Sequence, residues 1–581
     1  MIRESLSTDS DFRVRIVLMA VLMLTGSWYL SANVDLYSYL PDDGAYAYVA
    51  DRINQGDVLH RDIQDVHAGY INFSNAFALK IFGNEIVSLR YPILLLTMLQ
   101  AGLMFWLLSR QNLVTGLLGG ALLVGLTFIQ FLNPTPHWYC LFLVICLAVI
   151  LSSADSLSWQ RILLVGAVVG CVFLFRQLTG VIVGCGALLL VLIKIARSQA
   201  SDERAAVIAA LVPVLLVLGF VIFRSEDLGS VVLIGTWPLA IVAWHMRTLR
   251  AANQQVIRSI LILVGGFTIS AIPIFAYHVW HGSLYAWWHD AFVAAVSLSG
   301  MDFIAAESFT TLVFLIIEGF ARAPELVAGL NAVFWLLLIL APAGLGMTIL
   351  QRLRRSEGQT IGPVVYLASF YALVSLHYQI PIYLMYSSAL TLTGILLMSL
   401  GAAPIIRRGV VMLTIFSVAI GIVFHAAKPF SVSLSDILRG ERVSTSVDCD
   451  LPGLGLRVEP RTCDLYSKLL RLVDTHVGPE ETILALPVNP ELYFLSGRKS
   501  ALWFFNSALG IRSDEQEEDA LARLSAQPPA LVFYQEGDKY NTPGSASLVS
   551  AVVQRYVALS SVGEFKIFAR STAEQTDLDR E

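Results

Sequence analysis

The sequence predicts a polytopic α-helical membrane protein that carries an extramembrane α/β domain at its carboxyl end. Three observations predict it. Of the 581 residues, 56% are hydrophobic and only 14% are charged, whereas soluble domains carry about 25% charged residues. Apolar runs of roughly 18 or more residues recur along the chain, each long enough to cross a bilayer, and the mean hydropathy is +0.67. Beyond residue 426 the pattern changes to short β-rich runs alternating with helical ones, as in a small α/β layer. The net charge of −5 says little by itself, and no nucleic-acid partner is expected.

About thirteen candidate spans can be read. They lie at roughly 14–33, 87–108, 114–132, 137–153, 161–176, 178–194, 205–223, 228–244, 259–277, 326–350, 361–377, 381–400 and 409–425. The fifth and sixth are short enough to form a tight hairpin. Residues 309–320 are apolar but too short to span, and are expected to lie at the interface. Alternate short loops hold Arg and Lys, among them Arg110, Arg161, Arg197, Arg250, Arg354 and Arg407. By the positive-inside rule these loops and the amino terminus are cytoplasmic. An odd number of spans then puts the tail outside, on the periplasmic side if the membrane is a bacterial inner membrane. The first span is not read as a cleaved signal, because no small-residue cleavage site follows it.

The chain therefore reads as a membrane bundle, 1–425, and an α/β domain, 426–581. The bundle includes a long first outer loop, 34–86, and a second outer loop, 278–325. In the first loop, Tyr46, Val49, Ala50 and Ile53 share one helical face, and "YINFSNAFALKIF" makes a second short amphipathic helix. In the tail, "TILALPV", "ALVFYQ" and "EFKIFAR" read as strands. "NPELYFLSG", "DEQEEDALARLSAQ" and "SLVSAVVQRY" read as helices, and the final residues as a frayed end. Cys140, Cys146, Cys171 and Cys185 lie in spans, where they act as small apolar residues. Cys449 and Cys463 lie in the tail, where an oxidising compartment allows a disulfide; two free thiols are the alternative. No CxxC or His-rich metal pattern is present.

The first loop is rich in carboxylates: Asp42, Asp43, Asp51, Asp57, Asp62 and Asp65. Solvation accounts for Asp51 and Asp57, and Asp43 also suits a helix cap. Asp42 follows Leu40 and Pro41 at the end of an apolar span. A carboxylate at that depth is partly desolvated, which raises its basicity, and a general base needs that property. Asp62, Asp65 and His67 follow about twenty residues later. Two acidic groups and an imidazole at one membrane face suit acid–base or metal-assisted chemistry. In the second outer loop, Trp287, Trp288, His289 and Asp290 could stack on a sugar ring; an aromatic belt anchoring an interfacial helix is the plainer reading.

The stretch from Pro41 to Pro92 resembles the first external loop of the GT-C glycosyltransferases. It is most similar to the bacterial branch related to protein O-mannosyltransferases and lipid A aminoarabinose transferases. The matching positions are Asp42, Tyr46, Ala50, Gly56, Arg61, Asp62, Phe82, Gly83, Leu89 and Arg90. Asp43 stands where the pattern has Glu, and "HAG", 67–69, where it has a Lys-Pro-Pro-like turn. "FRQLTG", 175–180, and "HYQIP", 377–381, resemble later family segments, and "LPVNPELYFLSGRK" resembles the external α/β domain of many bacterial members.

The resemblance implies a GT-C-like bundle that takes a sugar from a polyprenyl-phosphate donor at the outer face and gives it to a glycan, lipid or protein. Asp42 would be the general base, with Asp43 and Asp62 as further catalytic candidates, and single displacement inverts the anomeric centre. Positive charge is needed at the departing phosphate. Arg176, Arg90 and His377, with Gln177, are the candidates; Arg224 and Arg61 are alternatives. His67, Tyr46, Tyr378 and Trp287 are candidates for holding the acceptor or sugar. A divalent metal is left open, and no other cofactor is implied. A lipid-linked saccharide transporter is the alternative, but it would carry buried mid-span charges and repeats, which the sequence does not show. A sensor or scaffold would leave the acidic loop without a role.

Overall fold

In the computed structural model the described residues are 2–36, 39–130, 132–153, 156–198, 203–224, 227–298, 308–322, 326–355, 361–379, 381–424 and 446–570. The boundary read at 425 and 426, the frayed end and the side chain of Arg224 fall outside them. Two compact units form. One comprises Met1–Val34, Pro92–Pro273 and Ala306–Arg442; the other comprises Asp35–Tyr91, Ile274–Ala305 and Val443–Glu581.

The first unit is a helical membrane bundle. Among the described residues, nine helices are long and apolar enough to cross a membrane. The spans read at 114–132, 137–153, 161–176 and 361–377 fall on shorter apolar helices, Leu113–Gly125, Pro136–Ser152, Trp159–Phe175 and Pro363–Leu376. Two of these are shortened by a change in backbone. The first gives way to a 3-10 turn at Phe128–Gln130, and the last finishes as a 3-10 stretch from Ala372 to Leu376. The helix Phe309–Arg322 has 14 residues, too few to span. Lipid-facing side chains such as Leu24, Ile208, Leu215 and Ile405 are exposed, as apolar solvent requires. The fifth and sixth spans are separated by one extended residue, Arg176 at φ −154° and ψ 111°. Gly180 makes that tight return possible. A Cβ there would sit 2.3 Å from Phe173 Cα.

The second unit joins the first loop to the tail in one core. Helix α1, Leu40–Asn54, starts after extended Tyr39, with Pro41 in its first turn. Proline suits that position because its missing N–H would be unpaired there anyway. Asp42 and Asp43 also lie in the first turn, where the helix dipole favours negative charge. Asp43 is therefore not the cap it could have been; the helix begins three residues earlier. Helix α2, Tyr70–Phe82, is bounded by Gly69 and Gly83, both at positive φ. The tail adds a short pair, β1 (Val447–Asp448) and β2 (Arg457–Val458), and helix α3 (Pro460–His476). Strand β3 (Ile483–Leu486), helix α4 (Pro490–Ser496), helix α5 (Asp514–Ala526) and strand β4 (Leu531–Gln535) follow. Helix α6 (Pro543–Arg555) and strands β5 (Tyr556–Val562) and β6 (Phe565–Arg570) complete it.

The sheet runs β3-β4-β6-β5, with β3 parallel to β4 and the other pairs antiparallel. Leu59, Ile86 and Val87 from the first loop share a buried cluster with Leu469, Leu492, Phe533 and Ile567 from the tail. Gly44 lets α1 lie directly on α4: a Cβ there would sit 2.4 Å from Glu491 Cβ. Cys449 and Cys463 are disulfide-bonded, with Cα atoms 5.8 Å apart and 14 residues of separation. A loop of that length closed by a disulfide contributes about 3 kcal/mol by restricting the unfolded chain. Cys463→Ser, or strong reductant, is expected to lower the melting temperature of the solubilised protein by several degrees. Reductant should have no further effect on the variant.

Candidate active site

A cavity of about 180 Å³ opens in the second unit. The first turns of α1 contribute Asp42, Ala45 and Tyr46; the segment before α2 contributes Gln64, Asp65, Val66 and His67; the tail contributes Phe505, Asn506 and Leu509. Backbone pairing holds these segments together, since Gln64 N donates to Trp503 O at 2.8 Å.

The two adjacent carboxylates of α1 face different surroundings. Asp42 is exposed and lines the cavity. Asp43 is fully buried, and Arg90 Nη2 donates to its Oδ2 at 3.2 Å. Arg90, also fully buried, donates through Nη1 to Leu36 O at 2.9 Å. Asp62 does not line the cavity either. It forms a surface pair with Arg61 at 2.8 Å and accepts from Val58 N. Arg61 first, and then that backbone N–H, hold its carboxyl below the usual range. Asp57 is not simply solvated. It pairs at 2.6 Å with Arg52, whose side chain is buried.

Asp65 and His67 form a carboxylate–imidazole pair. Asp65 Oδ1 lies 2.6 Å from His67 Nδ1 and accepts from His67 N at 2.7 Å, while Oδ2 accepts from Asn72 Nδ2 at 3.0 Å. Burial pushes the Asp65 carboxyl up, but His67 more than offsets this and leaves it below its ordinary value. Asp290 fixes the neighbouring segment. It accepts from Gln64 Nε2 at 3.2 Å and lies 3.4 Å from both His60 Nδ1 and His289 Nδ1. Trp287 donates to Ala68 O at 3.0 Å and stacks on His278 at 5.3 Å. It braces the turn after His67 and does not line the cavity.

Glu491 lies fully buried where α4 meets α1. The Tyr466 hydroxyl donates to its Oε1 at 2.7 Å. Burial pushes its pKa up from 4.5 to about 7, and the Asp42 charge adds to the shift. The folded protein thus holds a proton that the unfolded chain releases between those two values. The resulting stability is full below about pH 4.5 and is lost as pH rises through about 7. Raising the pH from 5 to 8 is expected to lower the melting temperature more for the parent than for Glu491→Gln, which cannot ionise. Parallel curves would count against this.

In the first unit, the Arg176 guanidinium packs on the His137 ring and lies 5.4 Å from the Tyr383 ring centroid. His137 stacks on Tyr386 at 3.7 Å. Tyr378 and His377 lie 5.3 and 6.1 Å from the same Tyr383 ring. Arg176, with Gln177 next to it in the chain, thus shares an aromatic cluster with His377 and Tyr378. Among the described residues, no carboxylate pairs with Arg176.

Three sequence candidates, Asp42, Tyr46 and His67, line the cavity together; Asp43, Asp62, Arg90 and Trp287 do not. Asp65 as the partner of His67, Gln64, Glu491, Phe505 and Asn506 were not singled out for these places. The Asp-x-His spacing was the one available signal. Among the described residues no group of three or more His, Cys, Asp or Glu is arranged to hold a metal ion.

No family model matches the chain, and no curated protein matches it. Among solved structures it is similar to ArnT from Cupriavidus metallidurans bound to undecaprenyl phosphate. Identity is 12% over 96% of this chain and 98% of that one, with a TM-score of 0.41. It is also similar to the apo form of that protein, at 14% identity over 95% and 97% of the two chains, with a TM-score of 0.40.

Proposed function

We propose that this protein is a membrane glycosyltransferase that moves a sugar from a polyprenyl-phosphate donor to an acceptor at the outer face of a bacterial inner membrane. The observation that carries the reading is the contrast within α1. Asp43 is taken up by Arg90 inside the unit, while Asp42 lines a cavity that also holds a carboxylate-oriented imidazole. A carboxylate at a cavity wall can accept a proton from a bound hydroxyl or amine.

In the proposed reaction Asp42 takes the acceptor proton as the acceptor attacks the anomeric carbon. The bond to the lipid phosphate breaks, and the electron pair leaves with the phosphate. Attack opposite the leaving group inverts the centre. Within the first unit, Arg176, with Gln177, His377 and Tyr378 beside it, is the candidate for holding a phosphate. A guanidinium without a carboxylate partner among the described residues keeps its charge for an anion. The resemblance of the first loop supports the donor class.

The test is transfer in membranes holding the protein, from a panel of labelled polyprenyl-phosphate sugars. Donor-dependent product of inverted configuration is expected. Retained configuration, or no transfer from any donor, would overturn the reading.

A further inference from the structure

The cavity asks its ligand for hydrogen-bond donors. Gln64 is only 6% exposed, and its Nε2 donates to Asp290. A carboxylate can only accept, so this contact fixes which end of the amide is oxygen. That Oε1 is buried and has no hydrogen-bond partner among the described residues. His67 is fixed in the same manner. Its Nδ1 faces the Asp65 carboxylate and so carries a proton, which leaves Nε2 as the ring atom available to a ligand. The Asp42 carboxylate adds further acceptor positions on the same wall.

None of the described residues lining the cavity is Lys or Arg. A phosphate or carboxylate entering it would meet two carboxylates, one of them already paired with His67, and no Lys or Arg, which is a poor anion site. The remaining walls are aromatic and apolar apart from Asn506, whose Oδ1 accepts from Ala508 N. The Tyr46 ring lies 5.8 Å from that of His67, and half-buried Phe505 stands on the tail side. Acceptors beside aromatic faces match a sugar ring, which offers several hydroxyl donors at its edge and C–H bonds on its face. The volume of about 180 Å³ is on the scale of one such ring.

We propose that the cavity binds a neutral polyhydroxylated ring, so that the acceptor is a sugar residue of a glycan, not a peptide side chain or a phosphorylated headgroup. This rests on the transferase reading above. One hydroxyl loses its proton to Asp42 and forms the new bond to the anomeric carbon, while the donor's bond to phosphate breaks with its electron pair. Other hydroxyls of the same ring donate to Gln64 Oε1 and hydrogen-bond with His67 Nε2. A serine or threonine side chain, with one hydroxyl, leaves the buried Gln64 Oε1 unmatched.

The test is saturation-transfer NMR on the purified full-length protein in detergent, with no donor present. The probes are neutral oligosaccharides, a Ser/Thr-rich peptide and a phosphorylated sugar. Saturation of the neutral oligosaccharide ring protons is expected. The fitted Kd should rise at least tenfold in Gln64→Leu, and again in Phe505→Ala, which leaves the Asp290 contact intact. Both variants are compared as folded protein, below their own melting temperatures. Binding of the peptide or the phosphorylated sugar alone, no binding by any neutral oligosaccharide, or an unchanged Kd in both variants would overturn the proposal. Because no donor is used, the two readings separate. Glycan binding without any sugar transfer keeps this proposal and removes the catalytic one. Transfer to peptides does the opposite.

Discussion

Asp42→Asn is expected to slow sugar transfer by at least about 100-fold, the range lost when a general base is removed. Asparagine keeps the size and the position in the first turn of α1 but cannot take a proton. Asp42 is exposed, so the change should leave the melting temperature within a degree or two. Acceptor binding should change far less than turnover, because Gln64 and His67 remain. Transfer by Asp42→Asn at the parental rate, in equally folded protein, would move the base elsewhere, and the Asp65–His67 pair would be the next place to look.

Asp43→Ala is expected to do the reverse, although it changes the adjacent residue. It takes from Arg90, whose side chain is 0% exposed, the Asp43 carboxylate 3.2 Å from its Nη2. Breaking such a pair costs about 3–5 kcal/mol. That is a large part of the stability of an ordinary domain, so low yield and a much lower melting temperature should follow. Replacing both partners together, as in Asp43→Leu with Arg90→Met, should recover much of the loss, since neither member of the pair is then left facing a missing partner. Any folded double variant should still transfer sugar, because neither residue lines the cavity. A double variant that folds but is inactive would return Asp43 or Arg90 to the catalytic group.

These opposite expectations for neighbouring residues show where the sequence stops being legible. Hydropathy was enough to place the spans, because each long apolar run in lipid must close its own hydrogen bonds as a helix. The tight return between the fifth and sixth spans and a helix through Tyr46, Val49, Ala50 and Ile53 followed from local signals too, though not that helix's start at Leu40. The tail's β3, β4 and β6 were readable as bounded apolar runs. Strand β5 was not: its residues are mostly exposed, so it lacks the alternation that marks a half-buried strand. Helix α3 was also passed over, although its buried Tyr466, Leu469, Leu470 and Val473 have helical spacing.

The site was legible only in outline. Which of Asp42 and Asp43 turns inward depends on where α1 begins, and helix boundaries are the least readable feature of a sequence. The partners lie far apart along the chain: 47 residues separate Asp43 from Arg90, and 226 separate Gln64 from Asp290. Composition gives no register for such pairs. Glu491 had no signal at all, because its burial follows from Gly44 letting α4 press on α1.

The most direct measurement follows bond breaking itself. Purified protein in liposomes is given a labelled polyprenyl-phosphate sugar and an acceptor, and free polyprenyl phosphate and labelled acceptor are counted together. Equal amounts of the two, both falling about 100-fold in Asp42→Asn, are the predicted result. Passage of the intact donor across the bilayer, with no polyprenyl phosphate freed from any donor in the panel, would contradict the account.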